Sequence, residues 1–305
     1  MTQINQRHTT FLILLLSIAG WFSACTPKLM KYGEVLALPV DSATARLSYG
    51  PDTFQFGELR IPEGEGPHKI VVIIHGGCWV STIADLSLMD PMATQLTRDG
   101  YATWNLEYRR IGDPGGAWPN TFLDVAKGIN YLREIAEEYQ LDLDHIVVTG
   151  HSAGGHLTLW QALQHQLPED SDIYQSNPLP VSGVVSLAGI VDPSTYLLRE
   201  GNSCGTHVDE LLGGFPEEVP ERYREGSPID LLPAKVPTIL ITGKQDKTVP
   251  LRHVNPYYKA AKAKGENIEN IKVSQAAHFE VISPGSTAWP AIRSSIRKLI
   301  QREAK

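Results

Sequence analysis

The feature that most restricts how this chain can fold is a series of short, largely apolar runs, each leading into a polar or glycine-rich loop. They are "KIVVII" (69–74), "YATWNLEY" (101–108), "HIVVTG" (145–150), "VSGVVSLAG" (181–189), "TILITG" (238–243) and "NIKVSQ" (270–275). A strand with one wet face alternates apolar and polar residues. Runs without that alternation belong to strands covered on both faces, as in parallel sheets. Helical patterns lie between them. In "FLDVAKGINYLREIAEEY" (122–139), Phe122, Val125, Ala126, Ile129 and Leu132 share one face, with charges opposite. "AGGHLTLWQALQHQL" (153–167) and the C-terminal "TAWPAIRSSIRKLIQREAK" (287–305) are also expected as helices. Strands alternating with helices predict an α/β fold: a mostly parallel, doubly wound sheet with helices on both faces. "FGELRI" (56–61) is a further expected strand. Residues 190–235 carry Pro, Gly and short helical pieces, and are expected to form a small lid-like insertion or substrate wall.

The 305 residues are 42% apolar and 20% charged, enough for one sizeable core spanning about residues 46–305. The formal net charge is −7, and no run of lysines and arginines occurs. A nucleic-acid partner needs a basic stripe, so none is expected.

The N-terminus differs from everything after it. "MTQINQRHTT" is polar, "FLILLLSIAGWFSA" is uncharged and apolar, and Cys25 follows. The apolar stretch is too short to span a bilayer comfortably, and the pattern is that of an export signal over residues 1–24, or of an uncleaved N-terminal anchor. "Phe22-Ser23-Ala24-Cys25" resembles the lipobox of bacterial lipoproteins, with Phe22 in place of the usual Leu. That resemblance implies lipid attachment at Cys25 and membrane contact through the lipid. With Thr26 rather than Asp after the cysteine, it implies the outer membrane; a soluble periplasmic or secreted form is the alternative. Residues 25–45 show no clear period and are expected to be a tether. Cys78 and Cys204 remain. An exported compartment permits a disulfide between them, but two independent small core residues are the favoured reading.

The strongest chemical signal is "VVTGHSAGGHL" (147–157), which contains G-x-S-x-G as Gly150-His151-Ser152-Ala153-Gly154. Here it follows an apolar strand and precedes a helix pattern, the context a nucleophile elbow needs. The bland alternative is an ordinary glycine-rich turn. A serine hydroxyl needs a base to take its proton. Of ten histidines, His278 in "SQAAHFEV" lies just past the last strand. His151 and His156 are better placed to support the turn, and His165 and His207 suit surface or packing roles. Asp246, in "TILITGKQDKTVP", sits at the C-terminal edge of a strand, where open sheets place their sites. Asp192 in "LAGIVDPSTY" is its rival, and Asp246 is favoured. "HGGCW" (75–79) ends another strand with two glycines. There is no H-E-x-x-H, C-x-x-C, P-loop or G-x-G-x-x-G after a strand, so neither a metal nor a cofactor is expected.

Taken in order, the "HGG" turn, the "GHSAGG" elbow, "GKQDKTVP" and "AAHF" resemble the α/β-hydrolase superfamily from about residue 46 to the end. "HGGCW", "NLEYRRIGDPGGAWPNTFLDV" (105–125) and "REGSPIDLLP" (224–233) are similar to its esterase branch. That branch includes kynurenine formamidases, BD-FAE-like (acetylxylan or feruloyl esterase-like) proteins and hormone-sensitive-lipase-like esterases. In the last group Cys78 would be a glycine. The resemblance implies the chain order nucleophile, acid, base, hence Ser152, Asp246 and His278. It also implies an oxyanion hole of backbone N–H groups from Ala153 and from the turn Gly76, Gly77 and Cys78. The activity implied is hydrolysis of a carboxylic ester on a small molecule or a glycan. A formamidase-like amide hydrolase and a non-catalytic surface binding lipoprotein are the alternatives. Trp79 and Trp118 are candidates for an acyl or aryl pocket, or for simple packing.

Overall fold

All seven runs expected as strands pair in one eight-stranded sheet. In this computed structural model, which describes residues 28–198 and 204–303, the strands are β1 (Ala45–Ser48), β2 (Phe56–Arg60), β3 (His68–Ile74), β4 (Ala102–Leu106), β5 (Leu141–His151), β6 (Gly183–Leu187), β7 (Thr238–Gly243) and β8 (Ile268–Val273). Their spatial order is β1-β2-β4-β3-β5-β6-β7-β8. β2 runs antiparallel to both neighbours, and the other pairings are parallel. Ile70 through Ile74 are each fully buried, as are all residues of β4, β6 and β7, which explains the lack of alternation in the sequence.

Topology places the helices. The step from β3 to β4 runs opposite to every later crossover, so right-handed connections put Asp90–Arg98 on one face and Asn120–Asn130, Ala153–Gln161 and Leu251–Ala263 on the other. Trp289–Ile300 joins the first face, where Arg293 pairs with Asp99 at 2.6 Å. This is the α/β-hydrolase arrangement. The parallel strands β3 to β7 point their C-terminal ends to one edge, and the loops at that edge carry Gly76, Ser152 and Asp246.

Two expectations change. The helix expected across 122–139 ends at Asn130 and resumes only as Leu132–Ile135, before Gln140 turns the chain with φ of +51°. Residues 28–45, expected as a free tether, are docked. They form a helix at Tyr32–Leu36, and the Met30 N–H donates to Glu280 Oε1 at 2.5 Å. Tyr32 packs edge-on against Phe279, and Asp41 takes a two-pronged contact from Arg98 at 2.6 and 2.7 Å. Residues 1–24 and Cys25, with the expected signal and lipid site, lie outside the described residues. The 190–235 insertion contains short helices at Pro193–Leu197, Val208–Leu212 and Pro220–Gly226.

Candidate active site

β5 runs directly into the helix Ala153–Gln161, and Ser152 is the residue between them, at φ +53° and ψ −113°. Few non-glycine residues adopt such a backbone, and they do so where the surroundings impose it. Here the Ser152 N–H donates to Leu187 O at 2.9 Å, and its carbonyl accepts from the His156 N–H at 3.0 Å. A Cβ on Gly154 would sit 2.2 Å from Ile74 O and 2.3 Å from His75 O, so only glycine lets the elbow press against β3.

The loops after β7 and β8 bring the next two residues together. His278 Nδ1 donates to Asp246 Oδ2 at 2.8 Å. Asp246 Oδ1 accepts the N–H groups of Thr248 and Val249, each at 2.8 Å, so a fully buried carboxylate has its acceptor sites filled. Asp192 instead accepts from the Thr195 N–H at 3.1 Å and caps a short helix. The pairing with His278 is therefore made by Asp246. The loop carrying His278 is fastened to the elbow: His151 Nε2 donates to the His278 carbonyl at 2.9 Å, and the two rings lie 4.4 Å apart. Burial, then the neighbouring charge of His278, holds His151 well below the ordinary histidine range, so it stays neutral. No hydrogen bond joins Ser152 Oγ to His278 among the described residues. Such contacts often close only around a substrate.

The "HGGCW" turn lies against the elbow. A Cβ on Gly76 would be 3.3 Å from Ser152 Cβ. Gly77, Cys78 and Trp79 follow with φ of +104°, +53° and +59°. The N–H groups of Gly76, Gly77 and Cys78 donate to no acceptor among the described residues. Ala153, first in its helix, has no intrahelical acceptor for its N–H and stands at the positive end of the helix dipole. The N–H groups of Ala153, Gly76, Gly77 and Cys78 thus have no acceptor among the described residues.

A buried polar network holds this turn from behind, and nothing in the sequence pattern singled it out. His75 Nε2 contacts Glu107 Oε1 at 2.8 Å, Glu107 Oε2 accepts from the Leu86 N–H, and the Tyr108 hydroxyl donates to His75 O at 2.9 Å. Arg110 donates to Ala84 O at 2.6 Å, and Ala84 is what a Gly77 Cβ would strike at 2.7 Å. Burial pushes the Glu107 carboxyl up, but His75 and Arg110 outweigh it and hold the group below the usual carboxylate range. Trp79, considered for a pocket wall, is fully buried and packs edge-on against His156 at 5.3 Å. It braces the turn and faces no solvent. Trp118 is half-buried, donates to Asp172 at 3.2 Å, and lines a 320 Å³ pocket with Asp170, Glu218 and Arg222. Cys78 and Cys204 are joined by a disulfide, their Cα atoms 5.0 Å apart. A larger cavity of 770 Å³, lined in part by Ser182, Lys235, Lys264 and Arg302, opens at the N-terminal ends of β6 and β7 and touches none of these groups.

The chain is similar to known proteins throughout this region. It is 26% identical over 257 residues to Esterase LipC of Mycobacterium tuberculosis, covering 79% of this chain and 58% of that one. It is 25% identical over 198 residues to the probable carboxylic ester hydrolase LipM of the same organism, covering 63% and 44%. The chain therefore spans about half the length of the curated relatives it matches. Among solved structures, a truncated carbohydrate esterase from gut microbiota superposes with a TM-score of 0.73 at 20% identity, covering 86% of this chain and 98% of that one. At that identity the likeness speaks for the fold. The BD-FAE family matches residues 59–260, well over half the chain and the span that holds the turn, the elbow and the acid loop, and the chain belongs to that family.

Proposed function

We propose that this chain is a serine hydrolase that cleaves carboxylic esters through an acyl-enzyme on Ser152. The observation that carries this is a strained elbow serine beside a buried Asp246–His278 pair and a row of unpartnered amides. His278 takes the Ser152 proton as the hydroxyl attacks the ester carbonyl, then returns it to the departing alcohol. Asp246 occupies Nδ1, which leaves Nε2 as the nitrogen that exchanges protons. The developing oxyanion is received by the Ala153 amide and by Gly77 or Cys78. Water then repeats the sequence on the acyl group. The esterase names of the curated relatives support this chemistry.

Purified protein should label with a fluorophosphonate and hydrolyse short p-nitrophenyl esters, and Ser152→Ala should do neither while remaining folded. A folded wild type that neither labels nor turns over would sink the proposal. A panel of acetylated sugars, feruloyl esters, short acyl esters and N-formylkynurenine ranks the acyl and leaving groups, and preference for the last would move the chain to the amide-cleaving side.

The same chain is proposed to be exported and lipidated at Cys25, supported by the apolar stretch and the lipobox-like residues before it. Metabolic palmitate labelling that survives Cys25→Ser would overturn that assignment.

A further inference from the structure

We propose that the Cys78–Cys204 disulfide is a positioning element for the oxyanion turn, so that breaking it slows acyl transfer without weakening substrate binding. The inference rests on the serine-hydrolase proposal and assigns to the bond a role in the transition state.

Three observations lead there. Cys78 and Trp79 are non-glycine residues held at φ of +53° and +59°. Side chains at such φ values strain the backbone, and the conformation persists only where the surroundings impose it. Trp79 is imposed by full burial and by its backbone: its carbonyl accepts from the Ile111 N–H at 2.7 Å. Cys78 is also buried, at 6% exposure, but among the described residues no backbone hydrogen bond pins it as one pins Trp79. Its N–H has no acceptor among the described residues, and the one covalent tie on its packed side chain is the bond to Cys204. That same N–H is one of the candidate oxyanion donors.

The second anchor is firm. Cys204 is 1% exposed and lies at the start of the Gly205–His207 turn that leads into the helix Val208–Leu212. That helix is fastened at its far end, where Leu211 O accepts from the Trp118 N–H at 2.8 Å and Leu212 O from Arg222. The bond spans 126 residues and joins the turn to a separately braced piece of the insertion. Without it, Cys78 is free to relax toward a less strained φ, which would rotate its amide away from the space beside Ser152.

An amide that meets charge only in the transition state affects kcat and leaves ground-state binding alone. Removing one oxyanion donor outright costs about 10²–10³ in kcat in a known protease, and misaiming one costs less. The experiment compares wild type, Cys204→Ser and the double variant Cys78→Ser/Cys204→Ser on p-nitrophenyl acetate, with thermal unfolding and fluorophosphonate labelling in parallel. The expected result is at least a tenfold fall in kcat in both variants, KM within twofold, slower labelling of Ser152, and a retained cooperative unfolding transition above the assay temperature. A kcat within twofold of wild type overturns the proposal even if the melting temperature drops. Loss of activity that merely follows loss of folded signal in both variants also overturns it, because the bond would then hold the fold and not the turn. A wild type that neither labels nor turns over marks failure of the serine-hydrolase proposal instead.

Discussion

His151 reaches across from the elbow and donates its Nε2 proton to the backbone carbonyl of His278, 2.9 Å away. The residue before the proposed nucleophile therefore holds the loop that carries the proposed base. Replacing His151 with Leu keeps bulk and removes the donor, and kcat should fall roughly tenfold with KM little changed, as expected when a group acts only on transition-state geometry. His151→Gln, which keeps an N–H donor, should recover part of the loss. Steady-state kinetics on a short ester, alongside a melting curve, decides the matter; equal activity in all three proteins would show that the loop holds itself.

Asp246 and Asp192 were rivals for one role, and kinetics can separate them. Asp246→Asn should lower kcat by about 10⁴, the size of the effect at the corresponding position of a well-studied serine protease, because the amide no longer holds the useful tautomer. Asp192→Asn keeps an oxygen that can cap the helix through the Thr195 N–H and should stay within threefold. The reverse ranking would reassign the acid.

Strain at Ser152 should be visible in stability. Its φ and ψ of +53° and −113° cost about 1–3 kcal/mol for a residue with a side chain. Glycine adopts them without that penalty, though it loses about 0.5–1 kcal/mol to backbone entropy. Ser152→Gly should therefore be inactive and more stable by about 1 kcal/mol in urea unfolding. A clear loss of stability would mean that the hydroxyl or Cβ packs favourably enough to offset the strain.

Acid should destabilise the fold through His156. Burial lowers its imidazole from the ordinary 6.5 to about 4, against a partial opposing pull from the Gly226 carbonyl that accepts its Nε2 proton at 2.7 Å. The unfolded chain takes up a proton near pH 6.5 that the folded chain refuses until about 4. Stability contributed by the neutral ring is thus present above that window and lost as pH falls through it. Between pH 7 and 5 the loss should be about 2 kcal/mol from this residue, with His151 acting in the same direction. Urea unfolding at the two pH values should show a smaller drop for His156→Gln, and an identical drop would place the sensitivity elsewhere.

The three residues of the candidate site were legible because each is announced locally. Ser152 sits in a five-residue pattern between a strand and a helix, and Asp246 and His278 stand at strand ends. What escaped depends on distance or on rules with exceptions. Cys204 meets Cys78 across 126 residues, and no local pattern encodes that meeting. The helix Leu251–Ala263 contains Pro256, which reads as a breaker. Glu107 looks like the polar end of a strand, yet it is buried at 2% exposure because His75 arrives from the neighbouring strand's loop. The disulfide also alters what Cys78 means. With the sulfur bonded, Cys78→Ala leaves the backbone N–H in place but cuts the turn from its brace.

The docked segment at residues 28–45 has a practical corollary. Glu280 is 4% exposed, and its two carboxylate oxygens are shared between the Met30 N–H and the N–H of Ala277, the residue just before His278. An expression boundary drawn at residue 46, as hydropathy alone invites, would strip one donor from a buried carboxylate one residue removed from His278's own neighbour, and would uncover Phe279. Where a cloner starts the gene then bears on the proposed site: a trimmed protein would fold yet read as a weak enzyme for a reason that lies outside Ser152, Asp246 and His278.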